Sequence, residues 1–186
     1  MGRDRIFRSI CRHDHQECNK PSEKGCQHER VAYAGHLGNK LYKGHYYALS
    51  SNGAASKAYP EGLISNGNMD QAIADTVEIT MASHDDPYSI SGACAVAAAV
   101  SEAMRDGTSV YRIIKAAHYG SVKGEELARG REDIWVYPGP SVTKRIEMAV
   151  EIALHCGSTK DVVKELAERI GSGPAISETV LRHWES

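Results

Sequence analysis

Apolar residues recur at helical spacing along most of the chain beyond residue 67. Positions three and four apart lie on one face of an α-helix, so this spacing predicts amphipathic helices, and no segment follows the period of a β-strand. With their caps and stops, the predicted helices cover 68–83, 86–105, 108–124, 141–157, 159–171 and a short segment from 177 onward. The pattern therefore predicts an all-α domain.

Residues suited to helix starts precede several of these segments. Asn68, Thr108 and Ser141 carry side-chain oxygens that can accept a hydrogen bond from a first-turn N–H group. Asp86 can do the same, and it is followed by Pro87, which suits the first helical position. We predict that Asn68, Asp86, Thr108 and Ser141 are N-caps.

The predicted helix at 86–105 is small and apolar on all sides between 92 and 100. A helix without a polar face is usually enclosed by neighbours. Because the chain has one Phe and two Trp, its core must rely on aliphatic side chains, which favours close helix packing. On two later helices the spacing predicts inward-facing stripes, namely Ile146, Ala149, Val150, Ala153 and Leu154, and Val162, Val163, Leu166, Ala167 and Ile170.

The first part of the chain lacks a sustained period. We interpret 1–30 as an irregular segment rich in His and Cys, and 31–67 as loop-rich with a turn near its end that leads into a helical region. The first segment could hold a structural zinc ion, but its spacing matches neither C-x2-C nor H-x3–5-H. An irregular polar segment is therefore the preferred interpretation. The candidate ligands are Cys11, His13, His15, Cys18, Cys26 and His28.

Composition and charge narrow the function classes. The 186 residues suit one domain, and a net charge of -2 gives no electrostatic reason to expect nucleic acid or an anionic membrane as a partner. No apolar run is long enough for a transmembrane helix, and the charged start lacks the apolar core of a signal peptide. With an odd count of five cysteines, these features predict a cytoplasmic protein with reduced thiols.

Two short segments carry candidate binding chemistry. Ser51, Asn52 and Gly53 form a small-residue turn before a helix, where unshielded backbone N–H groups can bind an anion. His84 precedes the predicted cap Asp86. We predict a polar ligand site built on these helix ends, and the alternatives are an ordinary Asn-Gly turn and an exposed loop histidine.

Three segments resemble the ADP-ribosylglycohydrolase family. Residues 51–63, S-N-G-A-A-S-K-A-Y-P-E-G-L, resemble the family segment that begins G-N-G-A, continues through M-R and ends P-x-G-L. Residues 83–93 resemble its T-H-x-x-P segment, and residues 170–178 are similar to its late I-G-x-G-W-x-A-E-E segment. The segments occur in the family's order, and the resemblance covers about residues 45–186. Ser51 stands where the family has its first Gly, and Ser56-Lys57 stands for Met-Arg.

This resemblance implies an all-α, orthogonal multi-helix domain that hydrolyses the glycosidic bond joining ADP-ribose to a protein side chain or related acceptor, with two Mg²⁺ ions. It assigns ADP-ribose binding to Ser51, Asn52, Gly53 and His84. The family's metal ligands come from T-D-D-T-like and D-x-D-[ST] motifs, which this sequence lacks. We therefore assign no catalytic or metal-binding residue and expect weak or absent turnover by this chain alone. We also expect a partial domain over 31–186, truncated at both ends.

Two alternatives remain beside a hydrolase acting on ADP-ribosylated protein. The first is a non-catalytic module that binds ADP-ribose or a nucleotide. The second is a helical interaction module that self-associates or pairs with a partner chain that completes the fold. The apolar helix at 86–105 motivates the second alternative, because such a helix requires neighbours.

Overall fold

A computed structural model describes residues 50–132, 134, 136 and 138–179 of the chain. Helices dominate this part, and an isolated bridge between Ser51 and Ala175 is the β-type pairing found in it. The prediction of an all-α fold is therefore confirmed. In chain order the described helices are α1 (Gly53–Ile64), α2 (Met69–Met81), α3 (Pro87–Ala103), α4 (Val110–Arg129), α5 (Val142–His155), α6 (Thr159–Arg169) and α7 (Ile176–Thr179).

Helix α3 is the centre of the fold, and it contacts α1, α2, α4, α5 and α7. Every residue from 87 to 98 is buried, as the small apolar sequence predicts. Helix α4 approaches α3 closely because glycines face it: a Cβ at Gly120 would lie 2.7 Å from Cβ of Ala98, and one at Gly124 would lie 2.7 Å from Cβ of Cys94. These glycines serve packing, so α4 continues past the predicted stop at Gly124.

Local capping explains where most helices begin. The side chains of Asn68, Asp86 and Ser141 accept hydrogen bonds from first-turn N–H groups, which confirms three predicted caps. The fourth prediction is wrong, because Ser109 rather than Thr108 caps α4. Thr108 Oγ1 instead donates to a carboxylate oxygen of Glu102 at 3.0 Å.

Helix α1 occupies residues that the sequence predicted as the end of a loop-rich region. It contains Pro60, which has no N–H group to donate within the helix. The helix forms because its buried alanines, Ala54, Ala55 and Ala58, join the same core cluster as the alanines of α3. Tertiary packing therefore outweighs the poor local helix propensity of this segment.

The predicted stripes on α5 and α6 are only partly correct. On α5 the buried face comprises Val142, Thr143, Ile146, Ala149 and Ile152, whereas the predicted Leu154 is 79% exposed. On α6 no residue within the helix is buried, and Ile170 just after it is. Helix α6 packs mainly on α5. Helical spacing predicted both helices, but it did not predict which apolar residues of each helix pack against another helix.

Some predictions fall on residues that the structure does not describe. The cluster from Cys11 to His28 and the continuation of the last helix beyond Thr179 lie outside the described ranges. Among the described helices, none combines the length and apolar character needed to cross a membrane.

Candidate functional site

The chain just before α1 is held by the chain just before α7. The backbone N–H of Asn52 donates to the carbonyl of Pro174 at 2.9 Å, and the N–H of Ile176 donates to the carbonyl of Ser50 at 2.7 Å. These bonds flank the bridge between Ser51 and Ala175. The first and third segments of the resemblance are therefore neighbours in space.

The second segment joins them through His84. Its backbone N–H donates to the carbonyl of Thr80 at 2.8 Å, which holds the turn after α2. The imidazole Nε2 atom of His84 lies 2.9 Å from Ser51 Oγ, although the two residues are 33 positions apart. The structure thus brings together Ser51 and His84, which the sequence predicted for one site.

Asn52 and Gly53 complete the predicted set at the N-terminus of α1. Asn52 occupies the N-cap position, makes no side-chain capping bond and is exposed. A Cβ at Gly53 would lie 3.3 Å from Ser51 Oγ and 3.6 Å from Cε1 of His84, so glycine keeps space open beside these two side chains. The first-turn N–H groups of a helix favour an anion at this end.

Two further side chains extend the site. Lys57 lies one helical turn beyond Gly53, and its Nζ donates to Ser83 Oγ. Ser83 Oγ in turn lies 2.9 Å from Nδ1 of His84. Our sequence prediction did not include Lys57 or Ser83. The available signal was the position of Lys57 on the same face of α1 as Gly53, four residues later.

Burial and nearby charges act in opposite directions on His84. Desolvation lowers the pKa of the His84 imidazole, and the positive charge of Lys57 lowers it as well. The carboxylates of Asp86 and Asp85 raise this pKa, but the net direction is downward. Burial also lowers the pKa of Lys57. The imidazole is therefore neutral at neutral pH, with one nitrogen as donor and the other as acceptor.

We expect an NMR titration of the full chain to give His84 a pKa below the ordinary histidine value of about 6.5. Lys57→Met should raise this pKa because it removes a positive charge, and Asp85→Asn should lower it because it removes a negative one. Between the pKa of His84 in the folded state and its ordinary pKa, the unfolded state binds more protons than the folded state. The stability that depends on neutral His84 is therefore fully present above the ordinary pKa and is lost as pH falls through the folded-state pKa. A His84 pKa above the ordinary value would contradict this account.

Asp86 supports the site as a buried hydrogen-bond acceptor. Its Oδ1 accepts hydrogen bonds from the N–H groups of Tyr88 and Ser89 and from Ser50 Oγ, at 3.0, 2.9 and 2.8 Å. It therefore caps α3 and anchors the residue before Ser51 at the same time. Within the described ranges, no group of three or more His, Cys, Asp or Glu side chains could hold a metal ion.

The third segment keeps its shape through a glycine and a carboxylate. Gly171 has a φ of 93°, a conformation that side chains disfavour. Glu178 accepts a hydrogen bond from the N–H of Gly173 at 2.7 Å, and Arg145 donates to the carbonyl of Ile170 at 2.9 Å. These bonds fix the loop that holds the chain around Ser51.

The sequence matches a known protein family. The family model described as ADP-ribosylglycohydrolase matches residues 6–183, nearly the whole chain. The match begins within the segment 1–30, so it extends further toward the N-terminus than the resemblance over about 45–186. No curated protein and no solved structure matches the chain.

Proposed function

The chain belongs to the ADP-ribosylglycohydrolase family, and from this premise we propose that it binds ADP-ribose, free or attached to protein, through Ser51, Asn52, Gly53 and His84. The observation that supports this proposal is the 2.9 Å contact between Ser51 Oγ and His84 Nε2 beside the N-terminus of α1. A helix N-terminus with neighbouring hydroxyl and imidazole groups suits a phosphate or ribose oxygen. We also propose a cytoplasmic location, in keeping with the free thiols of Cys94 and Cys156.

The family activity is hydrolysis of ADP-ribosyl linkages, and in this chain we propose that turnover is weak or absent. Mg²⁺ prefers several carboxylate oxygens, and the sequence contains no D-x-D pair. In the described part of the chain, Asp86 Oδ1 already accepts three hydrogen bonds. The described residues therefore do not fit a two-metal site, and we derive no catalytic step through one.

Calorimetric titration of ADP-ribose into the full chain tests the binding proposal. We expect the wild type to bind without Mg²⁺ and His84→Ala to weaken binding about tenfold or more, because a partly buried hydrogen-bonding partner is removed. His118→Ala is the matched control, since His118 lies on α4 and contacts Glu147 instead. Equal loss in both variants, or no binding by the wild type, would contradict the proposed site.

A release assay on ADP-ribosylated protein separates binding from hydrolysis. We expect little release by the chain alone, with or without Mg²⁺. Robust Mg²⁺-dependent release would show that the proposal of weak turnover is wrong, while binding at the site would remain supported by the titration.

The alternative of a helical interaction module rests on other helices in the structure than in the sequence. Helix α3, which motivated it, is already covered by five described helices. Exposed apolar side chains occur instead on the outer helices, where Leu154 of α5 is 79% and Val163 of α6 is 41% exposed. Self-association in light scattering that Leu154→Lys abolishes would favour this second candidate.

A further inference from the structure

Four side chains of the candidate site form one continuous chain of hydrogen bonds. Lys57 Nζ donates to Ser83 Oγ. Ser83 Oγ lies 2.9 Å from His84 Nδ1, and His84 Nε2 lies 2.9 Å from Ser51 Oγ. This series of hydrogen bonds begins on α1, passes through the turn after α2 and ends at Ser51, the residue before the N-cap of α1. Lys57 and Ser83 extend the site but are not among the residues proposed to contact ADP-ribose.

The Lys57 ammonium determines which way the hydrogen bonds of this series point. A lysine ammonium has three donors and no acceptor, so Ser83 Oγ must accept from it. Consecutive hydrogen bonds that point the same way polarise one another. The favoured arrangement has the Ser83 hydroxyl donating to His84 Nδ1. A neutral imidazole that accepts at Nδ1 carries its proton on Nε2 and donates it to Ser51 Oγ.

The direction determines what Ser51 can offer a ligand. When Ser51 Oγ accepts from His84, its own hydrogen points away from the imidazole. The first turn of α1 lies beside it, where Asn52 makes no side-chain capping bond and the helix dipole favours negative charge. A phosphate oxygen carries negative charge and only accepts hydrogen bonds. It therefore suits the free Ser51 hydrogen and the helix N-terminus better than a ribose hydroxyl does.

We propose that Lys57 and Ser83 are positioning residues that hold His84 in the Nε2–H tautomer, so that the Ser51 hydroxyl donates to a diphosphate oxygen of the bound nucleotide. This inference rests on the proposed function, because it names the group of ADP-ribose that Ser51 contacts. The other charged groups acting on His84 are Asp86 and Asp85 on its own turn. Both carboxylates precede α3, and neither is one of the four side chains in the hydrogen-bond series.

The tautomer can be measured without any ligand, by ¹⁵N NMR of the imidazole in the full chain near neutral pH. We expect Nε2–H in the wild type and in Lys57→Arg, which keeps a cationic donor. Lys57→Met should move His84 toward the Nδ1–H tautomer. Lys160→Met is the matched control, because Lys160 is an exposed cation on α6. An Nδ1–H wild type, an unchanged Lys57→Met or a Lys57→Arg that resembles Lys57→Met would overturn the proposal.

The ligand group can be identified by comparing ADP-ribose and ADP with adenosine, which lacks phosphates. We expect Ser51→Ala to weaken ADP-ribose and ADP about tenfold, the range for a hydrogen bond to a charged group, and to leave adenosine unchanged. Lys57→Met should weaken the same two ligands by a smaller factor. Equal weakening of adenosine would overturn the assignment to a diphosphate oxygen. If the wild type binds none of the three, the proposed function fails, while the imidazole spectra still decide the role of Lys57.

Discussion

Gly120→Ala is expected to destabilise the fold by about 2–3 kcal/mol, the upper part of the range for overpacking a close contact. A Cβ at this position would overlap the carbonyl oxygen of Cys94 and lie 2.7 Å from Cβ of Ala98. Both atoms belong to α3, which is enclosed and cannot move aside easily. Helix propensity acts in the opposite direction, since alanine is about 1 kcal/mol better than glycine within a helix. The sign of the effect therefore distinguishes packing from propensity.

Denaturant unfolding monitored by circular dichroism measures this effect. Gly157→Ala is the matched control, because a Cβ there has no neighbour within 4 Å, and we expect its free energy of unfolding to stay close to that of the wild type. If Gly120→Ala proves as stable as the wild type or more so, α3 and α4 are not packed as closely as described.

Asp86→Ala is expected to cost about 3 kcal/mol of stability, from a lost N-cap and from buried donors left without an acceptor. Asp86 is 2% exposed, and its Oδ1 is the acceptor for two N–H groups of α3 and for Ser50 Oγ. Because Ser50 precedes Ser51, the same substitution should also weaken ADP-ribose binding. Thermal unfolding and calorimetric titration of one preparation measure the two effects together.

Two further variants test the physical cause. Asp86→Asn keeps an oxygen that can accept these bonds, so we expect a smaller loss of stability than for alanine. Asp106→Ala removes an exposed aspartate from the turn after α3, and we expect almost no change. Equal losses for Asp86→Asn and Asp86→Ala would show that the negative charge, rather than the acceptor oxygen, stabilises α3.

Helix starts were predictable because capping is local. Asn68 caps α2 by accepting from the N–H of Gln71, only three residues away, and a single sequence contains both partners. The cap of α4 shows the limit of this reasoning. Thr108 and Ser109 are adjacent hydroxyl residues, and the contact of Thr108 with Glu102 leaves Ser109 as the cap. Helix α1, in a region predicted as loop-rich, and the full length of α4 were missed for a similar reason, since packing against α3 allows helix at Pro60 and through Gly124.

The candidate site was predictable in part. The resemblance selected Ser51 and His84, which the structure brings to within 2.9 Å of each other. It did not select Lys57 and Ser83, which are 26 residues apart and meet only through folding. Both residues lie within segments that carry the resemblance, but nothing in the sequence indicates that they pair, because a hydrogen bond between separate elements depends on how those elements pack.

The all-α class, most helix starts and the family could be predicted from the amino-acid sequence, because capping, helical spacing and motif order are properties of short segments. Three features become visible only in the folded chain: which residues of α5 and α6 are buried or exposed, why Gly120 must be glycine, and how Lys57 reaches His84 through Ser83. These features depend on distances between residues far apart in the chain. Such distances are set when α3 is enclosed by its neighbours.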